Sequence, residues 1–425
     1  MPAYHLSAEH FPIPAALPRL CRTDSAFFRV HQLRSVWVGT MRVRSADQRV
    51  SGQAGRHDPP PTPERPGPVS ASQIDLLPGL PAALPTRLPV LDERGSRGAK
   101  FIGLPVSSVL NTPASTGMDF WSINPYVGCE FGCTYCYARD THRWVVERAG
   151  GRKGGTAADN AHAGFVPYRP SVLPPEEAFE KEILVKTDVA GVLARTLNPA
   201  KLAGHSLVIG TATDPYQPAE REFRLTRQIL EVLRSYHGLS IEIITKSSLV
   251  SRDLDLLQAL SARNEVTVNI SLATADARLA RLLELRSPVP AARLRALRRL
   301  IDGGVYAGLL VAPIIPGVTD DWPGLARLLE AAKEAGARYV VGSALRLGPA
   351  ARHRFLLFLT QEFPALAERY RRHYADKDYV SQQYQDALTR RLRLLKQAYG
   401  FPIDESMRRR RQVAGPNSDE QAVLL

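Results

Sequence analysis

The segment Asn124–His142 reads NPYVGCEFGCTYCYARDTH and constrains this chain more than any other, because it contains three of the four cysteines. Cys129, Cys133 and Cys136 follow a C-x3-C-x2-C spacing, and the residue before the last cysteine is aromatic, Tyr135. Three thiolates so close in sequence reach one small volume only if the backbone loops around a shared centre. The spacing therefore predicts a metal-binding loop.

Gly128 and Gly132 supply the conformational freedom that such a loop needs. Soft thiolate ligands suit zinc, copper(I) or an iron–sulfur cluster. A structural zinc site would bring a fourth nearby Cys or His to complete its tetrahedron, but here the local set stops at three. Cys21 lies far upstream in the chain, and we expect it to take no part in ligation.

The pattern resembles the radical S-adenosylmethionine (radical SAM) enzymes, and its flanks resemble the spore photoproduct lyase-related radical SAM proteins. The resemblance spans about Arg97 to Phe401. Four segments carry it: Trp121–His142 (WSINPYVGCEFGCTYCYARDTH), Gly210–Glu220 (GTATDPYQPAE), Thr245–Asp253 (TKSSLVSRD) and Ala312–Asp320 (APIIPGVTD).

The resemblance implies a 4Fe–4S cluster held by Cys129, Cys133 and Cys136, with the fourth iron left for the amino and carboxylate groups of S-adenosylmethionine. Tyr135 would pack near the adenine. The implied enzyme cleaves S-adenosylmethionine reductively to a 5′-deoxyadenosyl radical, with electrons from a donor such as flavodoxin or ferredoxin. The alternative is a non-enzymatic metal- or Fe–S-containing protein that binds nucleic acid.

The composition limits which other classes of protein this chain could belong to. The 425 residues include 55 Lys+Arg and 42 Asp+Glu, a net charge of +13, which would suit a polyanionic partner. The arginines are spread along the chain rather than massed in one segment, so nucleic acid is an alternative partner and not the favoured one. Four cysteines do not make a disulfide framework. We find neither an apolar run long enough to span a membrane nor a secretion signal, and expect a cytoplasmic protein.

Composition and hydrophobic pattern divide the chain into four parts. Residues 1–92 are rich in proline and predict a disordered or extended segment. Residues 93–350 predict the radical SAM core, 351–402 a C-terminal helical extension, and 403–425 a flexible basic tail with an arginine run at Arg408–Arg411. We interpret that run as a solvated terminus.

Within the core, apolar strands alternate with amphipathic helices, which predicts a parallel sheet covered by helices. The resemblance implies that six such units form a partial (β/α)6 TIM-type barrel. The predicted barrel strands are Asp119–Ile123, Leu207–Thr211, Ile241–Thr245, Val266–Leu272, Ala307–Ala312 and Arg338–Gly342. Glu182–Lys186 is a further short strand. Arg152–Pro175 is predicted to be a loop, and the predicted helices include Ala219–Tyr236 and Arg352–Tyr374.

The catalytic and binding residues of such barrels lie at the C-terminal ends of the strands. The resemblance implies that backbone at Gly210 and Thr211 contacts the cofactor's amino group, although the acidic residue common there is absent. Ser271 matches a family position that contacts the ribose and carboxylate of S-adenosylmethionine. Ile315 matches a family position that packs behind its adenine. Asp320 ends that last segment, where the family has glutamate.

Further polar residues at strand ends are candidates for binding. Each also has a structural interpretation as a turn, a helix cap or a satisfied core hydroxyl. They are Thr213, Asp214, Tyr216, Gln217, Lys246, Arg252, Asp253, Asn269 and Thr274.

The segment Glu284–Pro288 matches the related proteins only loosely, so no role is predicted for it. Spore photoproduct lyase uses a further cysteine, outside the cluster, as a hydrogen-atom donor. No cysteine follows Cys136 in this sequence. The sequence therefore predicts a substrate other than spore photoproduct.

Overall fold

The computed structural model describes residues 90–92, 98–142 and 173–403. Most of the predicted N-terminal segment 1–92, the basic tail after residue 403 and much of the predicted loop at 152–175 lie outside the described residues. The exception within 1–92 is Val90–Asp92, which forms a strand. No helix among the described residues is long and apolar enough to cross a membrane.

The described strands are numbered in chain order. They are β1 (Val90–Asp92), β2 (Lys100–Pro105), β3 (Leu110–Asn111), β4 (Trp121–Ile123), β5 (Tyr126–Val127), β6 (Glu182–Thr187), β7 (Ser206–Ile209), β8 (Ser240–Thr245), β9 (Glu265–Ser271), β10 (Tyr306–Ile314) and β11 (Val340–Ala344).

The described helices are numbered in the same way. They are α1 (Pro113–Thr116), α2 (Pro175–Lys181), α3 (Val189–Thr196), α4 (Pro199–Leu202), α5 (Glu220–Phe223), α6 (Leu225–Leu233), α7 (Leu254–Ser261), α8 (Ala277–Leu283), α9 (Pro290–Asp302), α10 (Trp322–Glu334), α11 (Pro349–Glu362), α12 (Pro364–His373) and α13 (Gln382–Ala398).

The larger sheet has the order β11-β10-β9-β8-β7-β4-β3. The six strands from β4 to β11 in this sheet are mutually parallel, and only β3 pairs antiparallel. The six predicted barrel strands are thus confirmed, in the predicted order. The described strands do not close the barrel, because β3 and β11 remain its two edges.

One face of this sheet is apolar and the other is largely polar. On β9, Val266, Val268 and Ile270 belong to the main hydrophobic core, which also contains residues of the covering helices. The alternate residues of the same strand, Thr267, Asn269 and Ser271, point to the opposite face. This inner face carries the polar groups of the candidate site.

Two predicted helices are each divided in two. The predicted helix Ala219–Tyr236 breaks into α5 and α6 at Arg224, which has a φ of 52°. The predicted helix Arg352–Tyr374 breaks into α11 and α12 at Pro364, because proline cannot donate the next helical hydrogen bond. Helix α2, before β6, was not predicted.

A smaller sheet, ordered β1-β2-β6-β5, contains the additional predicted strand at β6. A second hydrophobic cluster joins the cysteine loop to the C-terminal helices. It includes Cys129, Tyr135 and Ile315 together with Phe355 of α11 and Tyr370 of α12. The C-terminal extension therefore packs over the cysteine loop and contributes to its burial.

Candidate metal and cofactor site

The cysteine loop follows β4 and β5 at the C-terminal edge of the parallel strands. Its turns use the left-handed backbone region, with a φ of 90° at Gly128 and 64° at Gly132. A Cβ on Gly128 would lie 2.8 Å from the Phe179 carbonyl oxygen, and a Cβ on Gly132 would lie 2.5 Å from the Arg286 guanidinium. Both positions therefore require glycine for conformation and for space.

The three thiols share a buried environment. Cys129 and Cys133 are almost inaccessible to solvent, and Cys136 is partly exposed. Burial raises the pKa of all three thiols, to about 12 at Cys133, and the other two thiols raise the pKa of Cys129 further. The Lys246 ammonium opposes the rise at Cys133. A metal that binds thiols such as these releases their protons.

The segment after β7 holds the backbone of this loop. The Gln217 side chain accepts a hydrogen bond from the Glu130 backbone N–H at 3.0 Å and donates to the Gly128 carbonyl at 3.1 Å. The Thr213 hydroxyl donates to the same carbonyl at 2.6 Å. The Glu130 carboxylate in turn accepts from the Ala219 backbone N–H at 2.7 Å. The predicted polar run after β7 thus positions the cysteine loop.

The segment after α8, for which the sequence predicted no role, holds the other side of the loop. The backbone at Glu284 forms a bridge with Cys133. The Arg286 backbone N–H donates to the Phe131 carbonyl at 3.1 Å, and the Arg286 guanidinium reaches the Glu130 carbonyl. The Ser287 hydroxyl lies 3.8 Å from the Cys133 sulfur.

Ion pairs fix the loop to α2. The Arg139 guanidinium is fully buried, donates to the Cys133 carbonyl at 2.8 Å and forms an ion pair with Glu180. The other Glu180 carboxylate oxygen accepts from Arg286 at 2.5 Å. This environment lowers the pKa of Glu180, because the attraction of Arg139 and the two arginine hydrogen bonds outweigh the burial that opposes it. The loop is thus held by α2 as well as by the segments after β7 and α8.

Gly210 and Thr211 end β7 beside the loop. Gly210 has a φ of 97°, and a Cβ there would lie 2.5 Å from the Ile244 carbonyl oxygen. The Thr211 hydroxyl accepts from the Asn124 amide at 3.0 Å, and the Thr211 carbonyl accepts from the Tyr137 hydroxyl at 2.5 Å. Thr211 is therefore connected to the cysteine loop, and Gly210 is connected to the end of β4, because its backbone N–H donates to the Ile123 carbonyl at 3.1 Å.

The end of β8 brings a cation to Ser271. The Lys246 ammonium donates to the Ser271 hydroxyl at 2.8 Å. The Asp214 carboxylate fixes this strand end by accepting from the Lys246 backbone N–H and the Thr245 hydroxyl, each at 2.7 Å. Burial raises the pKa of Asp214, although these hydrogen bonds oppose the rise.

Tyr135 lies in a buried polar network. Its hydroxyl donates to the Glu284 carboxylate, which also pairs with the buried Arg293 guanidinium. The Lys246 ammonium lies 3.8 Å from Glu284 and 5.6 Å from the centre of the Tyr135 ring. The attraction of Arg293 and Lys246 lowers the pKa of Glu284 in spite of complete burial. A carboxylate thus stays ionised close to the cysteines.

Ile315 follows β10 and is fully buried in the cluster that contains the cysteines. Its backbone N–H donates to the Thr319 hydroxyl at 2.8 Å. Asp320, at the end of the same segment, instead accepts from the Gly317 backbone N–H and the Tyr384 hydroxyl. The structure therefore separates these two predicted residues: Ile315 faces the loop, and Asp320 faces α13.

The other candidates have structural partners. Arg252 pairs with Asp253 and Glu220, and its guanidinium lies 5.9 Å from the centre of the Tyr216 ring. The Asn269 carbonyl oxygen accepts from the Tyr339 hydroxyl at 2.8 Å. The Thr274 hydroxyl accepts from the Asp276 backbone N–H at 3.1 Å.

Several residues of the site were not predicted. They are Arg139, which belongs to the loop segment itself, and Glu180, Glu284, Arg286 and Arg293, which meet the loop or its supports only through the fold. Nothing in the sequence marks these residues as part of a site, because a charged residue in a helical or loop segment usually faces solvent.

The cysteine set fits a cluster with one open iron. No three Cys, His, Asp or Glu side chains of the described residues converge closely enough to hold a single metal ion. A cluster does not require such convergence, because each thiolate binds a different iron. Three cysteines on one largely buried loop, beside the strand ends with Lys246 and Ser271, match that chemistry.

Known proteins support this interpretation. Residues 123–329 match the Radical SAM superfamily. An uncharacterized protein of Mycobacterium tuberculosis is 30% identical over 344 residues, which cover 79% of this chain and 93% of that relative. An uncharacterized protein of Methanocaldococcus jannaschii is 27% identical over 198 residues, which cover 47% of this chain and 61% of that relative.

The fold also has a solved counterpart. A single-residue variant of spore photoproduct lyase matches with a TM-score of 0.50 and 15% sequence identity, over 71% of this chain and 80% of that one. At this identity the likeness concerns the fold alone. The match to the superfamily carries the assignment, which favours an enzyme over a non-enzymatic binding protein. The chain belongs to the radical SAM superfamily and is a radical SAM enzyme, and the cofactors of this family are a 4Fe–4S cluster and S-adenosylmethionine.

Proposed function

We propose that Cys129, Cys133 and Cys136 bind the 4Fe–4S cluster and that S-adenosylmethionine binds beside it at the strand ends. When bound, the two cofactors supply reductive cleavage to a 5′-deoxyadenosyl radical, which abstracts a hydrogen atom from the substrate. One observation supports this most: three cysteines lie on one largely buried loop that two distant segments hold at the C-terminal edge of a parallel sheet.

The strand ends supply groups of the right chemistry for S-adenosylmethionine. Lys246 and the hydroxyl of Ser271 form a hydrogen-bonded pair that suits the carboxylate of the methionine part. Backbone groups at Gly210 and Thr211 are assigned to its amino group. The buried side chain of Ile315 offers an apolar surface for the adenine.

Tyr135 has a role different from simple stacking. Because its hydroxyl binds Glu284, the ring is fixed between that carboxylate and the Lys246 ammonium. We assign Tyr135 to the wall of the adenine pocket, where the network holds its orientation. The aromatic side chains of α11 and α12 in the same cluster exclude water from the loop, which protects a reactive radical from side reactions.

The partners follow from this chemistry. The cluster needs a one-electron donor, for which we assign a flavodoxin or ferredoxin, and nucleic acid remains a candidate substrate class because of the net charge of +13. We also maintain that spore photoproduct is not the natural substrate, since no cysteine follows Cys136 to return a hydrogen atom.

The test is anaerobic reconstitution with iron and sulfide, reduction by dithionite or flavodoxin, and assay of 5′-deoxyadenosine from S-adenosylmethionine. The proposal expects 5′-deoxyadenosine from the wild type and none from Cys133→Ala. Reconstituted protein with a full cluster that never cleaves S-adenosylmethionine would contradict it. A dinucleoside spore photoproduct added to the same assay should yield no thymine; repair over many turnovers would refute the exclusion of that substrate.

A further inference from the structure

A cavity of about 480 Å³ lies where the loop after β10 and the start of α10 meet α12 and α13. Small-molecule sites have volumes of roughly 300–1,000 Å³, so the cavity is large enough for a ligand of nucleotide size. It contains none of the residues assigned above to the cluster or to S-adenosylmethionine. The chemistry of its walls indicates what it binds.

Two arginines supply the positive charge of the wall, and one of them, Arg391, also donates to the Asp320 backbone carbonyl at 3.2 Å. Arg369 of α12 and Arg391 of α13 are both exposed, and neither forms an ion pair with a described residue. The nearest comparison is on the same helix: Arg371 and Arg372 both contact Glu368. Guanidinium groups without a carboxylate partner favour a phosphate, which they can bind in a bidentate manner.

The acidic residues of the wall are already engaged by protein donors. The Asp320 carboxylate accepts from the Gly317 backbone N–H at 2.7 Å and from the Tyr384 hydroxyl at 2.8 Å. The Asp321 carboxylate accepts from the Gly324 backbone N–H at 2.7 Å and caps α10. These carboxylates keep their charge, but protein donors hold their oxygens in place, so the guanidinium N–H groups that no carboxylate occupies are the donors available to a phosphate.

An aromatic surface completes the cavity. Trp322, the first residue of α10, lines it and is 45% exposed, which is unusual for so large an apolar side chain. Tyr370 and Tyr384 also line the cavity, and the Tyr370 hydroxyl donates to the Pro316 carbonyl at 2.6 Å. An exposed indole offers a face on which a nucleobase stacks.

We propose that this cavity binds a nucleotide, with its phosphate on Arg369 and Arg391 and its base against Trp322. A pair of cations and an aromatic face in one cavity match the phosphate and the base of that ligand. The nucleotide is either free or part of a single-stranded nucleic acid. The proposal does not depend on the proposed function, because the site and its test involve neither the cluster nor the cleavage of S-adenosylmethionine.

The test uses two probes with the reconstituted full-length protein: thymidine 5′-monophosphate, followed by tryptophan fluorescence, and a fluorescein-labelled oligothymidylate, followed by anisotropy. At least one probe should bind, and Arg369→Gln/Arg391→Gln should weaken that binding by about tenfold or more, as expected for the loss of two phosphate contacts. Trp322→Phe should remove the fluorescence change on binding. Binding of the monophosphate identifies a free nucleotide as the ligand, and binding of the oligonucleotide alone identifies a strand.

The matched control is Arg390→Gln/Arg393→Gln, which removes the same charge from α13 at positions that do not line the cavity. It should leave the affinity within about twofold of the wild type. Equal losses in both double variants would show diffuse charge attraction and overturn the proposal, as would the absence of binding by either probe. Circular dichroism checks that each variant folds, and the wild-type fluorescence change tests the site without any substitution.

Discussion

Gly210 ends β7 at a point where both conformation and space exclude a side chain. Its φ is 97°, and a Cβ would lie 2.5 Å from the Ile244 carbonyl oxygen and 2.6 Å from the Pro215 ring. We predict that Gly210→Ala lowers the free energy of unfolding by about 2–4 kcal/mol, the sum of left-handed strain and overpacking. Chemical denaturation under anaerobic conditions measures the change.

Gly204 is the matched control for this substitution. It also has a left-handed φ, of 77°, but no atom lies within 4 Å of a Cβ built there. Gly204→Ala should therefore cost only the strain, about 1–2 kcal/mol. If the two variants lose the same free energy of unfolding, the close contact at Gly210 has no energetic consequence, and the predicted extra cost of Gly210→Ala is wrong.

His142 makes stability depend on pH. The imidazole is fully buried, packs edge-on against Phe179, and neither ring nitrogen has a hydrogen-bond partner in the described part of the chain. Burial lowers its pKa to about 4 from the ordinary value of 6.5. Between these values the unfolded chain binds a proton that the folded chain does not, so this contribution to stability falls as the pH decreases through 6.5 towards 4.

From pH 7 to pH 5.5 the wild type should lose about 1 kcal/mol of stability through His142. His142→Phe lacks the titrating group and should lose correspondingly less over the same interval. Urea denaturation of both proteins at the two pH values measures the difference. An identical pH dependence in the two proteins would show that His142 is protonated as readily in the folded state as in the unfolded chain.

At the scale of elements, the cysteine loop depends on segments far from it in sequence. The run after β7 holds it from one side through Gln217, and the segment after α8 holds it from the other through Arg286. Each contact fixes a backbone group next to a ligand. The geometry of the three thiols is therefore a property of the assembled sheet and not of the loop alone.

We predict that Gln217→Leu reduces the iron content of the reconstituted protein while the fold is retained. The substitution leaves the buried Glu130 N–H without its partner and removes one donor to the Gly128 carbonyl, a cost of about 1–3 kcal/mol. The control is Gln228→Leu, since Gln228 also donates to a carbonyl, that of Phe223, but away from the loop. Equal iron content in both variants would exclude the positioning role of Gln217.

At the scale of the whole molecule, the sequence predicted what depends on local pattern. Strand periodicity predicted the six parallel strands, and the spacing of Cys129, Cys133 and Cys136 predicted one buried loop. The breaks at Arg224 and Pro364 were missed, because apolar residues recur at helical spacing on both sides of each break. The domain boundaries at residues 92, 350 and 402 remain predictions.

The support of the site could not be predicted in the same way. Arg139, Glu284 and Arg293 read as ordinary surface charges, and only the fold brings them together beneath the cysteines. Likewise, Asp320 and Ile315 are five residues apart on one segment yet face different environments, because the chain turns between them. Burial of charge by distant partners leaves no periodic signal in a sequence.

The central claim is that three thiolates of this chain hold a 4Fe–4S cluster and leave one iron open for S-adenosylmethionine. Electron paramagnetic resonance of the dithionite-reduced, anaerobically reconstituted protein tests it most directly. The account predicts a reduced-cluster signal that changes when S-adenosylmethionine is added, that is lost in Cys129→Ala, Cys133→Ala and Cys136→Ala, and that persists in Cys21→Ala. A stable, S-adenosylmethionine-responsive cluster in any of the three loop variants, or a wild-type signal indifferent to S-adenosylmethionine, would contradict it.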